Sequence, residues 1–338
     1  METHRLIVTE PGSIELQATT LDEALAPHEA LVRTEYSIVS AGTEGALFTG
    51  LVKEMPFGDS GRYPRPTGYG NLGEVIAVGS GDLMCRPGDR VLSFSNHASV
   101  VKADAGRFAL PVPGDAPGEQ MVFSRMAGVS IAALRSSSVQ PGDTVLVMGM
   151  GLVGNFAAQL FRMAGADVMA ADLSDYRLRR ARECGIERTV NPAADDLGEA
   201  VDEWTEGRKA RIAVEAIGVS EVVGQAVAQT ARHGEVILLG SPRAPATFDV
   251  TPMLLRIHLE AIRMIGSLEW RWPMHESERT RDLAANYRQI AGWIASGKLR
   301  VAPLLDQLAP PADCQRIYDG LTSKREEYLG AVFDWSRL

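Results

Sequence analysis

The chain has 338 residues, room for two domains at about 150 residues each, and 34 Lys and Arg against 43 Asp and Glu give it a formal net charge of −9. A mildly acidic chain lacks the clustered cations that a phosphate backbone demands, which argues against a nucleic-acid binder. Hydrophobic residues at 45% and charged residues at 23% suit a soluble globular protein, and three scattered cysteines make no disulfide framework. No apolar run approaches the ~20 residues of a membrane span, and the opening Met-Glu-Thr-His-Arg lacks a signal-peptide core. A cytoplasmic protein is expected.

The first 118 residues read as β-rich. Leu6-Ile7-Val8 is a short apolar run, and 29–37 alternates as a half-buried strand does. Residues 74–78 and Arg90–Ser93 lie beside turns such as Gly79-Ser-Gly81 and Pro87-Gly-Asp89. Pro64, Pro66, Pro111, Pro113 and Pro117 oppose long helices, so a small barrel or sandwich is expected. The texture changes at residue 119. A helical period covers 119–138, and Thr144–Met148 (TVLVM) is the continuous apolar run of a strand buried on both faces. Helices over 152–164 and 175–184 then alternate with strands over Asp167–Ala171, 211–216, 235–239 and 261–265, with further helices at 221–231 and 252–259. That order predicts an α/β fold with a doubly wound parallel sheet. A helix over 278–296 and a strand over 329–333 close the chain.

Gly149-Met-Gly151-Leu152-Val153-Gly154 follows the first of these strands and opens a helix. Gly149 permits a tight turn, Gly151 lets backbone approach a pyrophosphate, and Gly154 lets helix and strand pack closely. The helix N-terminus then offers free N–H groups to phosphates. Asp172 stands 18 positions past Gly154 at the end of an apolar run, where a carboxylate accepts both ribose hydroxyls of NAD and repels a 2′-phosphate. Asp172 is also good helix-capping chemistry. Arg177 could flank the adenine or tolerate NADP, so NAD is favoured and NADP stays open.

With these motifs on the page, the chain resembles the medium-chain dehydrogenase/reductase superfamily, in its zinc alcohol, sorbitol and threonine dehydrogenase-like group. The resemblance rests on Ala41-Gly-Thr-Glu44, Gly68-Tyr-Gly-Asn-Leu-Gly-Glu-Val75, Pro87-Gly-Asp-Arg-Val91, the glycine loop, Asp172, Val214-Glu-Ala-Ile-Gly218, Gly234-Glu-Val-Ile-Leu-Leu-Gly240 and Ile265-Gly-Ser267. It implies a GroES-like β-rich catalytic domain from residues 1–125 and 267–338, a Rossmann domain from 126–266, a cleft between them, and a homodimer or homotetramer. It also implies that Ile217, Gly218, Leu239, Gly240, Ser241, Ser267 and Leu268 line the cofactor channel. The string Ser40-Ala-Gly-Thr-Glu44 is similar to that of bacteriochlorophyllide dehydrogenases and some sugar-modifying oxidoreductases.

The departures from that pattern concern the metal. Zinc members carry a Cys-Gly-(Thr/Ser)-Asp string and a Gly-His-Glu; here Ala41 and Glu44 stand for the cysteine and aspartate, and Tyr69 and Gly70 for the histidine and glutamate. The third ligand falls close to Arg125, and Cys85, Cys184 and Cys314 are too isolated to form a four-cysteine zinc lobe. A catalytic zinc needs about three protein donors, so a zinc-free branch and no bound metal are expected.

Hydride transfer to a carbonyl still needs a group to stabilise the developing alkoxide and a proton donor. Tyr69 could supply that hydrogen bond or simply fill the space of a lost ligand. Thr43 matches the Ser/Thr that relays protons in the family, or is a turn threonine. Glu44 is the nearest carboxylate, a base or a helix-start residue. His97, just after strand Arg90–Ser93, is a general acid/base or a plain loop histidine. Asn71 and Arg125 are candidate substrate ligands, as is Trp270, which could stack on a sugar. The leading expectation is a zinc-independent NAD(H)-dependent oxidoreductase interconverting a secondary alcohol and a ketone on a polyol or sugar. The alternatives are an NAD(P)H-dependent enone reductase and a non-catalytic cofactor-binding protein.

Overall fold

Short strands parted by Gly and Pro turns open the chain in the computed structural model, which describes residues 1–51, 62–114, 116–243, 245–272 and 282–338. Contacts gather the chain into two units, Met1–Arg125 with Trp272–Leu338 and Met126–Arg271, so 267–271 lie in the second. The first unit begins with the hairpin of β1 (Glu2–Glu10) and β2 (Ser13–Thr20). There follow β3 (Glu29–Ile38), helix α1 (Ala41–Phe48), β4 (Arg65–Pro66), β5 (Asn71–Val78), β6 (Arg90–Ser93), β7 (Val100–Asp104), the single turn α2 (Ala105–Phe108) and β8 (Ala109–Pro111). Burial along most of β3 matches its role as the hub, pairing antiparallel with β5 and β7.

The long helix expected over 119–138 is two helices, α3 (Gly118–Met121) and α4 (Ser124–Ser136). Val122 and Phe123 between them are completely buried, and the backbone tightens there to bonds such as Phe123 N–H to the Gln120 carbonyl, 3.1 Å.

The second unit continues from α4 through β9 (Thr144–Met148), α5 (Leu152–Met163), β10 (Asp167–Ala171), α6 (Asp175–Glu183), β11 (Arg188–Val190) and α7 (Leu197–Thr205). It ends with β12 (Ala210–Glu215), α8 (Ser220–Ala228), β13 (Thr230–Leu238), α9 (Thr251–Glu260) and β14 (Arg263–Gly266). The sheet runs β11-β10-β9-β12-β13-β14 with every pair parallel, so strand order reverses beside β9. Both faces are covered: Val145 and Val147 of β9 join one core with Phe161 and Leu178, while Leu146 and Met148 join another with Val201 and Val227. That two-residue period explains the unbroken apolar run.

The chain then returns to the first unit with α10 (Leu283–Ala295), β15 (Gln307–Ala309), α11 (Cys314–Ser323) and β16 (Ala331–Asp334). The expected helix start at 278–281 lies outside the described residues. β16 pairs with β3 and completes a seven-stranded sheet, and α11 packs Ile317, Tyr318 and Leu321 against Leu6, Phe48 and Phe333. Among the described residues no helix is long and apolar enough to cross a membrane.

Phe161 is fully buried in the second unit. Phe161→Ala is expected to cost about 3–5 kcal/mol, seen as earlier denaturant unfolding by Trp204 fluorescence; an unchanged midpoint would contradict the core assignment.

Candidate active site

The glycine loop is built as a cradle. Gly149 has φ +96° and donates its N–H to the Ala171 carbonyl, 2.7 Å away. A Cβ at Gly154 would lie 1.8 Å from the Gly149 carbonyl oxygen, whereas one at Gly151 would meet nothing within 4 Å. Thus α5 crosses the loop at a distance only glycine allows, and the loop's open side is at Gly151. The side chains of Leu152 and Val153 pack on the core, which leaves their backbone N–H groups, in the first turn of α5, as the part a ligand could meet. Asp172 accepts the Met150 N–H at 2.6 Å and the Ser174 N–H at 2.8 Å, with the Arg177 guanidinium 4.0 Å away. Ser174, not Asp172, caps α6 by accepting from Arg177 N–H. The carboxylate is therefore tied to the loop and keeps further lone pairs for a ribose. Open side, free helix N-terminus and oriented carboxylate together fit a nicotinamide dinucleotide.

Sequence reasoning missed Glu215, an acid at the end of the apolar run of β12. It is buried and accepts Ile217 and Gly218 N–H groups at 2.8 and 2.7 Å, while its carbonyl accepts from Leu239 and Gly240. Burial pushes its carboxyl pKa up, against the lowering effect of those N–H groups. Glu215 thereby brings Ile217, Gly218, Leu239, Gly240 and Ser241 onto two interlocked turns; a Cβ at Gly218 would sit 2.3 Å from the Ser241 carbonyl. Ser267 is buried, with its N–H on the Leu238 carbonyl, and Leu268 is exposed beside it. Trp270, in a short turn of this second unit, is also exposed.

In the first unit three hydroxyls converge. Tyr69 Oη donates to Ser40 Oγ and lies 3.5 Å from Thr43 Oγ1. Ser40 is buried, Tyr69 half-buried and Thr43 exposed, so the cluster runs from the interior to the surface.

Glu44 and His97 lie behind this cluster, away from water. Glu44 is 2% exposed and His97 completely buried, 3.0 Å apart between Oε2 and Nε2. The Glu44 carboxylate also accepts from Ser40 N–H at 2.7 Å, Thr67 Oγ1 at 2.9 Å and Tyr318 Oη. Burial alone would raise its pKa, but the His97 ring and the bonds from His97, Tyr318 and Ser40 outweigh that and hold it below its ordinary 4.5. The other His97 nitrogen is 2.8 Å from Ser37 Oγ, which also accepts from Trp335 Nε1. Burial and the cost to Glu44 likewise raise the Tyr318 phenol well above its ordinary value. Glu44 and His97, the candidate acid and base, are thus enclosed, each occupied by the other and by fixed partners. Tyr318 carried no motif and was not foreseen.

Asn71 and Arg125 are enclosed as well. Asn71 is buried at the start of β5, with its amide on Thr34 Oγ1 and the Asn96 carbonyl, so it clamps the sheet. Arg125 is 3% exposed and donates to the Tyr69 carbonyl and to Tyr287 Oη.

The donors do not fit a catalytic zinc. At the positions the resemblance assigns to ligands stand the methyl of Ala41, the Tyr69 phenol and a buried guanidinium, and a guanidinium has no lone pair to give. Among the described residues no group of three His, Cys, Asp or Glu is disposed around a metal position.

Comparison with known proteins agrees on the wider relationship. Residues 153–286 match the family model described as zinc-binding dehydrogenase. A 2-desacetyl-2-hydroxyethyl bacteriochlorophyllide A dehydrogenase from Cereibacter sphaeroides is 27% identical over 99% of both chains. D-guloside 3-dehydrogenase from Shigella flexneri is 25% identical over 64% of this chain and 67% of its own. A Sinorhizobium meliloti protein solved with NADP superposes with a TM-score of 0.81 at 20% identity, covering 99% of each chain. The fold is that of the medium-chain dehydrogenases, and the sequence relatives are oxidoreductases.

A Glu44→Gln amide offers one acceptor oxygen and two donors to a cage of donors, so it is expected to cost about 3 kcal/mol at pH 7. Because the folded Glu44 pKa lies below 4.5, its contribution is present above that pH and lost as pH falls through the lower folded value. Denaturant melts should show wild type and E44Q converging in acid; a gap constant with pH would contradict the ionised cage.

Proposed function

We propose that the chain is a zinc-independent, NAD(H)-dependent oxidoreductase that interconverts a secondary alcohol and a ketone on a polyol, sugar or similar polyhydroxylated substrate. The observation that carries this reading is the convergence of the Tyr69, Ser40 and Thr43 hydroxyls. Asp172 supports NAD over NADP, since a 2′-phosphate would meet a fixed carboxylate. The relatives named for dehydrogenating a hydroxyethyl bacteriochlorophyllide and a guloside support alcohol over C=C chemistry. The exposed Leu254, Leu255 and Leu259 of α9 beside edge strand β14 support a homodimer or homotetramer. A cytoplasmic location completes the proposal.

The glycine loop, Asp172 and the turns braced by Glu215 would hold the dinucleotide. A bound nicotinamide supplies the hydride, or takes it up in the reverse direction. Tyr69 Oη gives its proton to the substrate oxygen as the carbonyl becomes an alcohol, and in oxidation takes it back. Ser40 Oγ and Thr43 Oγ1 return that proton, with exposed Thr43 as the link to water. Glu44 and His97 stay out of the transfer and hold the backbone of Ser40 and Thr67 in place.

Deuterated NADH with D-fructose, acetoin and 2-cyclohexen-1-one, read by mass spectrometry, tests the reaction class. Deuterium on a carbinol carbon is expected, and Tyr69→Phe should lower kcat about 10²-fold. Deuterium on the carbon β to a surviving carbonyl would mean an ene-reductase. NADH binding without turnover would mean a non-catalytic protein.

A further inference from the structure

Arg125 is costly to bury, because a cation taken out of water must recover several kcal/mol from its contacts. Tyr69 supplies two of these contacts. The Arg125 Nε donates to the Tyr69 carbonyl at 3.1 Å, and its guanidinium carbon lies 4.6 Å from the centre of the Tyr69 ring. Phe94 covers it at 4.7 Å, and Tyr287 Oη accepts from its Nη1 at 2.5 Å. Phe94 is in turn stacked on Phe108 at 4.1 Å, with Tyr287 edge-on to both. The neighbouring glycine makes room: a Cβ at Gly70 would lie 2.7 Å from Arg125 Cγ and 2.8 Å from Ile38 Cγ2. The residue after Tyr69 has no side chain where the arginine passes.

We propose that Arg125 is the positioning residue for Tyr69 and supplies the fixed positive charge of a site whose side chains cannot ligate zinc. This rests on the reading of Tyr69 as proton donor. The carbonyl bond fixes the Tyr69 backbone, and the guanidinium against the ring restricts its rotation, which keeps Oη on Ser40 and Thr43. When the Oη proton moves to the substrate oxygen, the electron pair left behind spreads into the ring, and a cation at the ring face attracts it more strongly than it attracts the neutral phenol. Arg125 itself, almost without exposure, acts only through Tyr69.

A double-mutant cycle on the full chain tests this, with deuterated NADH and the same three carbonyl probes. Arg125→Met keeps the length and removes the charge; it is expected to lower kcat about 10²-fold while KM changes by no more than about twofold. Arg125→Lys should recover about tenfold of that loss. In a Tyr69→Phe background, Arg125→Met should change kcat by less than about twofold. Equal losses in both backgrounds, or a rise in KM alone, would overturn the proposal and leave the Tyr69 reading standing. A fully active Y69F, or a wild type that turns over none of the probes, would overturn both. If R125M does not fold, Arg125→Lys and Tyr287→Phe decide: each should lower kcat several-fold in wild type and not in Y69F, and the absence of that pattern overturns the proposal.

Discussion

A carboxylate removed from water must be surrounded by donors, and the Glu44 carboxylate organises the first unit around that requirement. Its partners are Ser40 at the start of α1, Thr67 between β4 and β5, His97 after β6 and Tyr318 of α11. The last is 274 positions away along the chain. Ser40 immediately precedes α1 and Thr43 lies in its first turn, and Tyr69 follows Thr67 by two residues. One buried charge therefore sets both segments that carry the three hydroxyls. Further bonds repeat the link: His97 N–H to the Thr67 carbonyl at 2.9 Å, and Asn96 Nδ2 to the Gly68 carbonyl at 2.6 Å.

A buried charged group with its partners adds little net stability compared with an apolar replacement of similar volume, yet removing one partner is expensive. What Glu44 and His97 contribute is geometry. The chain of bonds extends through Ser37 to Trp335, so the C-terminal residues help hold the His97 ring. The second unit is built differently. Its sheet is clamped by apolar cores on both faces, and its polar anchors, Asp172 and Glu215, sit at strand ends where they hold loops. Rigidity there comes from packing, with two carboxylates fixing backbone that apolar contacts cannot orient.

The parallel sheet was legible because its central strands are doubly buried apolar runs, as Thr144–Met148 and Asp167–Ala171 show to the residue. The glycine loop was legible for the same reason, since its spacing answers local geometry. Three-residue β11 and helix α7 were not foreseen; α7 carries Asp196 capping the Glu199 N–H, a start signal that was available. The polar residues were harder. Glu44, His97, Asn71 and Arg125 have the chemistry of an open site, and only tertiary burial turns them into a scaffold. Tyr318 and Tyr287 stand in α11 and α10 with no motif around them, so their contacts with Glu44 and Arg125 depend on chain segments far apart in sequence. Tyr69 and Thr43 alone among the polar candidates of the first unit keep access to solvent.

In the proposed mechanism the chain's own hydroxyls, not a bound metal, move the proton. The most direct measurement is the metal content of the purified protein, together with its NADH-dependent reduction of the carbonyl probe it turns over, before and after exhaustive dialysis against a zinc chelator. The account predicts no stoichiometric zinc and undiminished turnover. One zinc per chain, with activity lost on its removal and restored on its return, would contradict it.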